Sequence, residues 1–153
     1  MYIYTPRPTN VYGPRDSFEG KTNRVIPSMI RKVSEGETIE IWGDGRQTRS
    51  FIYVKDLVNA TLIAIEKGVP GPMNMATRDQ ISILDLASRI SKEYNAKNLI
   101  KLDENKPVGV KSRQLDVSKM YNIIDFEPLS IQEGLVRTIA WYRKQVKEDS
   151  PDY

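Results

Sequence analysis

The sequence contains no cysteine and no histidine. Without thiols, disulfides and thiolate nucleophiles are excluded, and a reducing, cytoplasmic setting is expected. Without imidazoles, a Ser-His-Asp triad, a histidine acid/base and the usual zinc sites go too, so no metal is expected. No apolar run approaches the roughly 20 residues of a membrane span. The opening stretch MYIYTPRPTN lacks the basic region and apolar core of a signal peptide. An excess of one charge is also missing: 23 Lys and Arg against 20 Asp and Glu leave a net charge of +3, too little to argue for a nucleic-acid partner. Phosphate-binding glycine loops are incomplete. Gly43-x-Gly45-x-x-Thr48 has no third glycine and runs into a strand, and Gly68-x-x-Gly71 closes a helix instead of opening one. Asp103, Glu104 and Asp116 have no spacing that pairs an acid with a base.

What is present is ordinary for a folded domain: 153 residues, 39% hydrophobic and 28% charged. Tyr2 to Tyr4 reads as a strand stopped by Pro6 and Pro8, followed by a loop from Thr9 to about Asn23. Val25, Ile26, Met29, Ile30 and Val33 recur at helical spacing, and Gly36 ends that helix. Strands are expected over Thr38–Trp42 and Arg49–Val54, separated by a Gly-Asp-Gly turn. Leu57, Val58, Thr61, Leu62 and Ile65 mark a second helix, closed by Gly68. A strand over Met73–Ala76 and a capping box at Ser82 and Asp85 come next. Then follow a strand over Asn98–Leu102, a polar loop to Arg113 and a short helix capped by Asp116. A second capping box, Ser130 with Glu133, opens a last helix carrying Leu135, Ile139, Tyr142 and Val146. The alternation indicates an α/β chain, with one domain over residues 1–147 and a frayed tail at 148–153.

Several polar residues have two readings. Arg49, at a strand start after a tight turn, is either an edge residue or a planar fork aimed at a phosphate. The same holds for Arg113, in its polar loop. Asn10 either satisfies a local turn or exchanges hydrogen bonds with a sugar hydroxyl. Trp42 is a core or edge aromatic or a stacking platform.

Read together, the segments acquire a common meaning. Arg7-Pro8-Thr9-Asn10-Val11-Tyr12-Gly13-Pro14, Val25-Ile26-Pro27, Ile41-Trp42-Gly43-Asp44-Gly45 and Arg49-Ser50-Phe51-Ile52-Tyr53-Val54-Lys55-Asp56-Leu57 occur in this order. Met73-Asn74-Met75-Ala76-Thr77, Lys106-Pro107-Val108-Gly109, Leu115-Asp116-Val117-Ser118-Lys119 and Ser130-Ile131-Gln132-Glu133-Gly134-Leu135 complete it. The ordered set resembles the extended short-chain dehydrogenase/reductase family, the NAD-dependent epimerases and dehydratases of nucleotide sugars. Its closing segment is most similar to the GDP-fucose synthases, and Trp42 to Phe51 also to the GDP-mannose 3,5-epimerases. Val108 stands where fucose synthases usually carry an acid, and Phe126 replaces a common tryptophan.

The resemblance implies the C-terminal, substrate-binding part of that fold, without the N-terminal Rossmann half. It implies that Arg49 and Arg113 grip the diphosphate of a GDP- or UDP-sugar and that Asn10 touches the sugar-phosphate portion. Val25 would lie near the nucleotide, and Glu40 to Trp42 beside its base. Pro8 and Thr9 would pass the nicotinamide end of NAD or NADP in the complete enzyme. The family's Gly-x-x-Gly-x-x-Gly turn and its Tyr-x-x-x-Lys acid/base pair do not occur in this sequence: no tyrosine has lysine four residues later. The expectation is therefore substrate grip without catalytic residues, and no tight cofactor binding by this chain alone. The partner would be a missing or separate Rossmann half. The alternatives are a free-standing nucleotide-sugar binding module and a truncated product without function.

Overall fold

The computed structural model describes residues 1–18, 24–96 and 99–148. The expected loop end at Asn23, the strand start at Asn98 and the tail beyond Glu148 lie outside them. The chain is α/β. Its elements run β1 (Tyr4–Pro8), β2 (Asn10–Tyr12), α1 (Val25–Ser34), β3 (Ile39–Trp42), β4 (Thr48–Arg49), β5 (Phe51–Tyr53), α2 (Val54–Glu66), β6 (Gly71–Met75), β7 (Ile81–Ser82), α3 (Ile83–Glu93), β8 (Ile100–Asp103), β9 (Ser112–Arg113), α4 (Ser118–Tyr121) and α5 (Ile131–Glu148). Three parallel pairs, β1 with β6, β2 with β5 and β3 with β8, are joined by a three-stranded sheet in the order β7-β4-β9. Among the described residues, no helix is long and apolar enough to cross a membrane.

The first strand corrects the reading of its prolines as stops. Strand β1 runs through Pro6 and Pro8, in register with Met73 and Met75. The Thr9 backbone N–H donates to the Met75 carbonyl oxygen at 3.0 Å. Backbone N–H groups alternate in direction along a strand, so residues 5, 7 and 9 face β6. The two prolines fall on the other edge, where no donor is required. Asn10 likewise lies in strand β2, not in a loop.

Helix starts follow their local chemistry. The Ser82 hydroxyl accepts from the Asp85 backbone N–H at 3.0 Å and opens α3. The second capping box is reciprocal: Glu133 N–H donates to Ser130 Oγ at 3.3 Å, and Ser130 N–H donates to Glu133 Oε2 at 3.1 Å. Hydrogen bonds from Ser130 hold the Glu133 carboxyl below its ordinary range. Ile26, Ile30, Val33, Leu86, Ile90, Leu135 and Ile139 from α1, α3 and α5 form the main core with Ile39, Ile41 and Phe51. A second cluster joins Ile52, Met73, Met75 and Met120 to Ala60 and Ala64 of α2.

Helix α2 turns its small residues inward. Its buried positions are Asp56, Ala60 and Ala64, whereas Val58, Leu62 and Ile65 are 49%, 51% and 46% exposed. The small face packs close to β5 and β6, and the large apolar face looks outward beside Pro6 and Pro8. Hydrophobic periodicity finds a helix, but it does not say which of two apolar stripes turns inward.

Two contacts make this core sensitive. A Cβ at Gly134 would lie 1.9 Å from the Tyr12 hydroxyl oxygen. The buried Asp56 carboxylate accepts the Leu129 backbone N–H at 2.9 Å. Burial still raises the Asp56 pKa above its ordinary value, against the lowering by that bond. Alanine at 134 gains about 0.5–1 kcal/mol of helix propensity but incurs overpacking of about 1–3 kcal/mol. Gly134→Ala is therefore expected to be net destabilising in urea unfolding. For Asp56 the native state binds its proton more tightly than the unfolded chain. Its contribution is present below the unfolded pKa and is lost as pH rises through the folded one. Asp56→Asn escapes that loss, so its stability relative to wild type should rise from about pH 4 to pH 7. A flat or falling difference in paired urea titrations would contradict this.

Candidate functional site

A cavity of about 530 Å³ opens between the start of α1, the end of β3, Arg49 and the 107–109 segment. Helix α1 contributes Val25, Ser28, Met29 and Lys32, one stripe at helical spacing. It runs for 10 residues and the side chain of its N-cap residue does not cap its first turn, so its partial positive end lies beside this space, which Arg24 and Val25 line. A smaller adjoining hollow of about 190 Å³ shares Asn10, Arg24, Val25 and Phe51 with the first and continues along Val11 and Tyr12. The whole is an elongated groove.

Strand β3 buries Ile39 and Ile41 and turns Glu40 and Trp42 outward. Trp42 is thus neither core nor free: it is 49% exposed, and its indole N–H donates to Glu40 Oε1 at 3.1 Å. Lys106 Nζ donates to the same oxygen at 3.1 Å and stands 5.0 Å from the Trp42 ring centroid. The hydrogen bond from Lys106, with its charge, holds the Glu40 carboxyl below the usual range. Val108 occupies the space that a Cβ on Gly43 would need, which brings Pro107 and Gly109 to the cavity wall.

Arg49 is half-buried and lines the cavity. One guanidinium N–H returns to the Thr48 carbonyl oxygen at 2.7 Å, and an arginine has five N–H donors. Arg113 does not line the cavity, and it lies in β9 instead of a loop. It is nonetheless the direct register partner of Arg49 across the parallel β4–β9 pair, so the two side chains leave the same face of the sheet.

Asn10 does not satisfy a local turn. Its amide donates to the Ser50 carbonyl oxygen at 2.9 Å, tying β2 to the segment after Arg49, and the residue also borders the groove. Thr9 has a buried hydroxyl without a partner. Pro8 is outside the groove, on the apolar surface with Leu57 and Leu62. Arg24, which reaches Asp16 and the Val11 carbonyl oxygen, borders the groove unforeseen, as do Lys32 and Gln47. The Ser28 and Lys32 positions follow from their helical offsets from Val25. No local pattern announces Gln47.

The arrangement suits holding an anion more than moving a proton. Tyr12, Tyr94 and Tyr121 have phenol pKa values raised by burial, the opposite of what a tyrosine acid/base requires. Basic side chains, a helix N-terminus and a half-exposed indole border a groove long enough for a charged group and an aromatic one.

Comparisons with known proteins agree with this geometry. Residues 1–76 match the model of the NAD dependent epimerase/dehydratase family. A dTDP-4-dehydro-6-deoxy-D-allose reductase from a Streptomyces species is 49% identical over 92% of this chain and 43% of its own length. The corresponding reductase of Streptomyces bikiniensis is 47% identical over 95% of this chain and 44% of its own. The GDP-L-fucose synthases of Arabidopsis thaliana and Escherichia coli stand lower, at 30% and 28%, so the nearness to fucose synthases read from the closing segment is a distant one. Among solved structures, the UDP-N-acetylglucosamine 4-epimerase of Methanobrevibacter ruminantium, in complex with UDP-N-acetylmuramic acid, superposes with a TM-score of 0.85. It is 31% identical, over 95% of this chain and 47% of that one. The chain spans about half the length of the curated relatives it matches.

Proposed function

We propose that this chain, whose residues 1–76 match the NAD dependent epimerase/dehydratase family, is a member of it and the nucleotide-sugar-binding portion of an NAD(P)-dependent epimerase, dehydratase or reductase, with residues 1–147 as the substrate-binding domain. The observation that carries this reading is the side-by-side register of Arg49 and Arg113, with Arg49 on the wall of a groove that also takes the N-terminus of α1. Two adjacent cations repel unless an anion lies between them, and a diphosphate matches two guanidinium forks.

In this reading Arg49 and Arg113 hold the diphosphate, and backbone N–H groups around Val25 add partial charge. Trp42 and the outer face of β3 border the base. Asn10, at the opposite end, approaches the sugar. The identity of 49% to a reductase named for a dTDP-sugar puts a thymidine nucleotide beside the GDP- and UDP-sugars as a substrate.

Pro8 and Thr9 form one edge of a cofactor site in the complete enzyme. The partnerless buried Thr9 hydroxyl suits a contact arriving from outside the described residues. The surface beside it, of Pro6, Pro8, Leu57, Val58, Thr61 and Leu62, offers no cation for a phosphate. These residues do not make a dinucleotide site by themselves, so no hydride step is assigned to them. The outward apolar face of α2 and the unpaired edge of β1 fit a Rossmann half packed against both. The absence of a Tyr-x-x-x-Lys pair from this sequence also favours a second reading, a binding module without catalysis of its own.

Calorimetry on the 153-residue chain tests the grip. Arg49→Ala should weaken dTDP, UDP or GDP binding by about tenfold to a hundredfold, the range of a lost charged hydrogen bond. Arg49→Lys should fall between, because a point charge replaces a fork. Undiminished binding by Arg49→Ala would remove this residue from the site. Titration with NAD or NADP should show no saturation at micromolar concentrations, and tight binding would refute the incomplete-site reading.

A further inference from the structure

We propose that Gln80 is the positioning residue of the diphosphate clamp: its side-chain amide sets the spacing between Arg49 and Arg113. The proposal rests on the nucleotide-sugar reading above and extends it to a residue that does not line the cavity.

The three strands that carry the clamp are two residues each: Thr48–Arg49, Ile81–Ser82 and Ser112–Arg113. Such short strands exchange few ladder hydrogen bonds, so backbone pairing alone defines their spacing poorly. Gln80, one residue before β7, ties all three together. Its Oε1 accepts from Thr48 Oγ1 at 2.9 Å and from Ser112 Oγ at 3.1 Å. Its Nε2 donates to the Arg113 carbonyl oxygen at 3.2 Å. The amide orientation is fixed by chemistry: a carbonyl only accepts, so nitrogen must face Arg113, and both hydroxyls are then left to donate to oxygen. Thr48 and Ser112 are themselves register partners and each precedes one of the two arginines. The amide therefore links the Thr48 side chain, next to Arg49, to the Ser112 side chain and the Arg113 carbonyl oxygen. It sits against the like-charge repulsion of the pair and keeps the clamp formed before the anion arrives.

Gln80→Leu keeps the side chain's bulk and removes the three bonds. Affinity is measured for dTDP and for thymidine, with UDP and uridine, and GDP and guanosine, run in parallel on the 153-residue chain. Gln80→Leu is expected to weaken the diphosphate about tenfold while leaving the nucleoside within about twofold, because only the phosphate grip depends on the arginine spacing. Thr48→Val and Ser112→Ala each cut one spoke and should show smaller losses of the same kind. Thr48→Val combined with Gln80→Leu should add little, since both act on one contact. Equal weakening of diphosphate and nucleoside would make Gln80 a stabilising residue only and overturn the proposal. Unchanged diphosphate affinity would overturn it too. If Gln80→Leu fails to fold, the two single-spoke variants decide by the same ratio. If wild type binds the diphosphate no better than the nucleoside, the arginine clamp itself falls, and that result is read from the wild-type measurements alone.

Discussion

The structure around the groove depends on a costly juxtaposition: two arginines, drawn from positions 49 and 113, fixed as neighbours in one sheet. Like charges directly opposite each other on paired strands are unfavourable, and nothing in the aliphatic core requires them there. Ile26, Leu86, Ile90 and Leu135 would bury as well around a neutral sheet. The pairing is held by short strands and by one amide that reaches all three of them. The arrangement opposes stability and concentrates positive charge beside a helix N-terminus, which is what the proposed anion grip requires.

The same division runs through the rest of the chain. Stability comes from the α1–α3–α5 cluster and from the corner where Tyr12 approaches the bare backbone of Gly134 and Asp56 caps the Leu129 N–H. Tyr12 lies in β2, two residues from Asn10, and the Asn10 amide binds Ser50, next to Arg49. Packing and groove are thus mechanically continuous: the buried tyrosine seats the strand whose other end borders the ligand space. On the opposite side, α2 turns Ala60 and Ala64 inward and leaves Val58, Leu62 and Ile65 exposed. Small residues allow the close approach to β6, and the larger ones remain available to a second layer.

How much of this was legible follows from which signals are local. Both capping boxes, the glycine after α1 and the helical periodicity are written within a few residues, and each is found where its spacing indicates. Strand β1 was misread because proline is costly only where its missing N–H is needed, and the pairing edge is a tertiary fact. The inward stripe of α2 is not written in its periodicity for the same reason: alanine and aspartate face the core because of what lies opposite them. Among site residues, Arg49, Val25, Trp42 and Asn10 do border the groove, but their family pattern pointed to them more strongly than their chemistry did. Arg113 stands beside Arg49 without lining the cavity. Lys32 is legible from its helical offset from Val25, whereas the place of Gln80 arises from neighbours tens of residues away and that of Gln47 from no local pattern.

Burial makes Tyr12, Tyr94 and Tyr121 worse acids, so these three phenols are poorly suited to moving a proton near neutral pH. Binding energy from the non-reacting part of a substrate is nevertheless part of catalysis, because it can hold the reacting carbon in place while another element acts on it. A clamp formed before the ligand arrives incurs its ordering cost during folding, which leaves more of the phosphate interaction for orientation. That places the value of the β7-β4-β9 sheet in its stiffness as well as its charge. It also gives a purpose to a glutamine that does not line the cavity yet bonds to both β4 and β9.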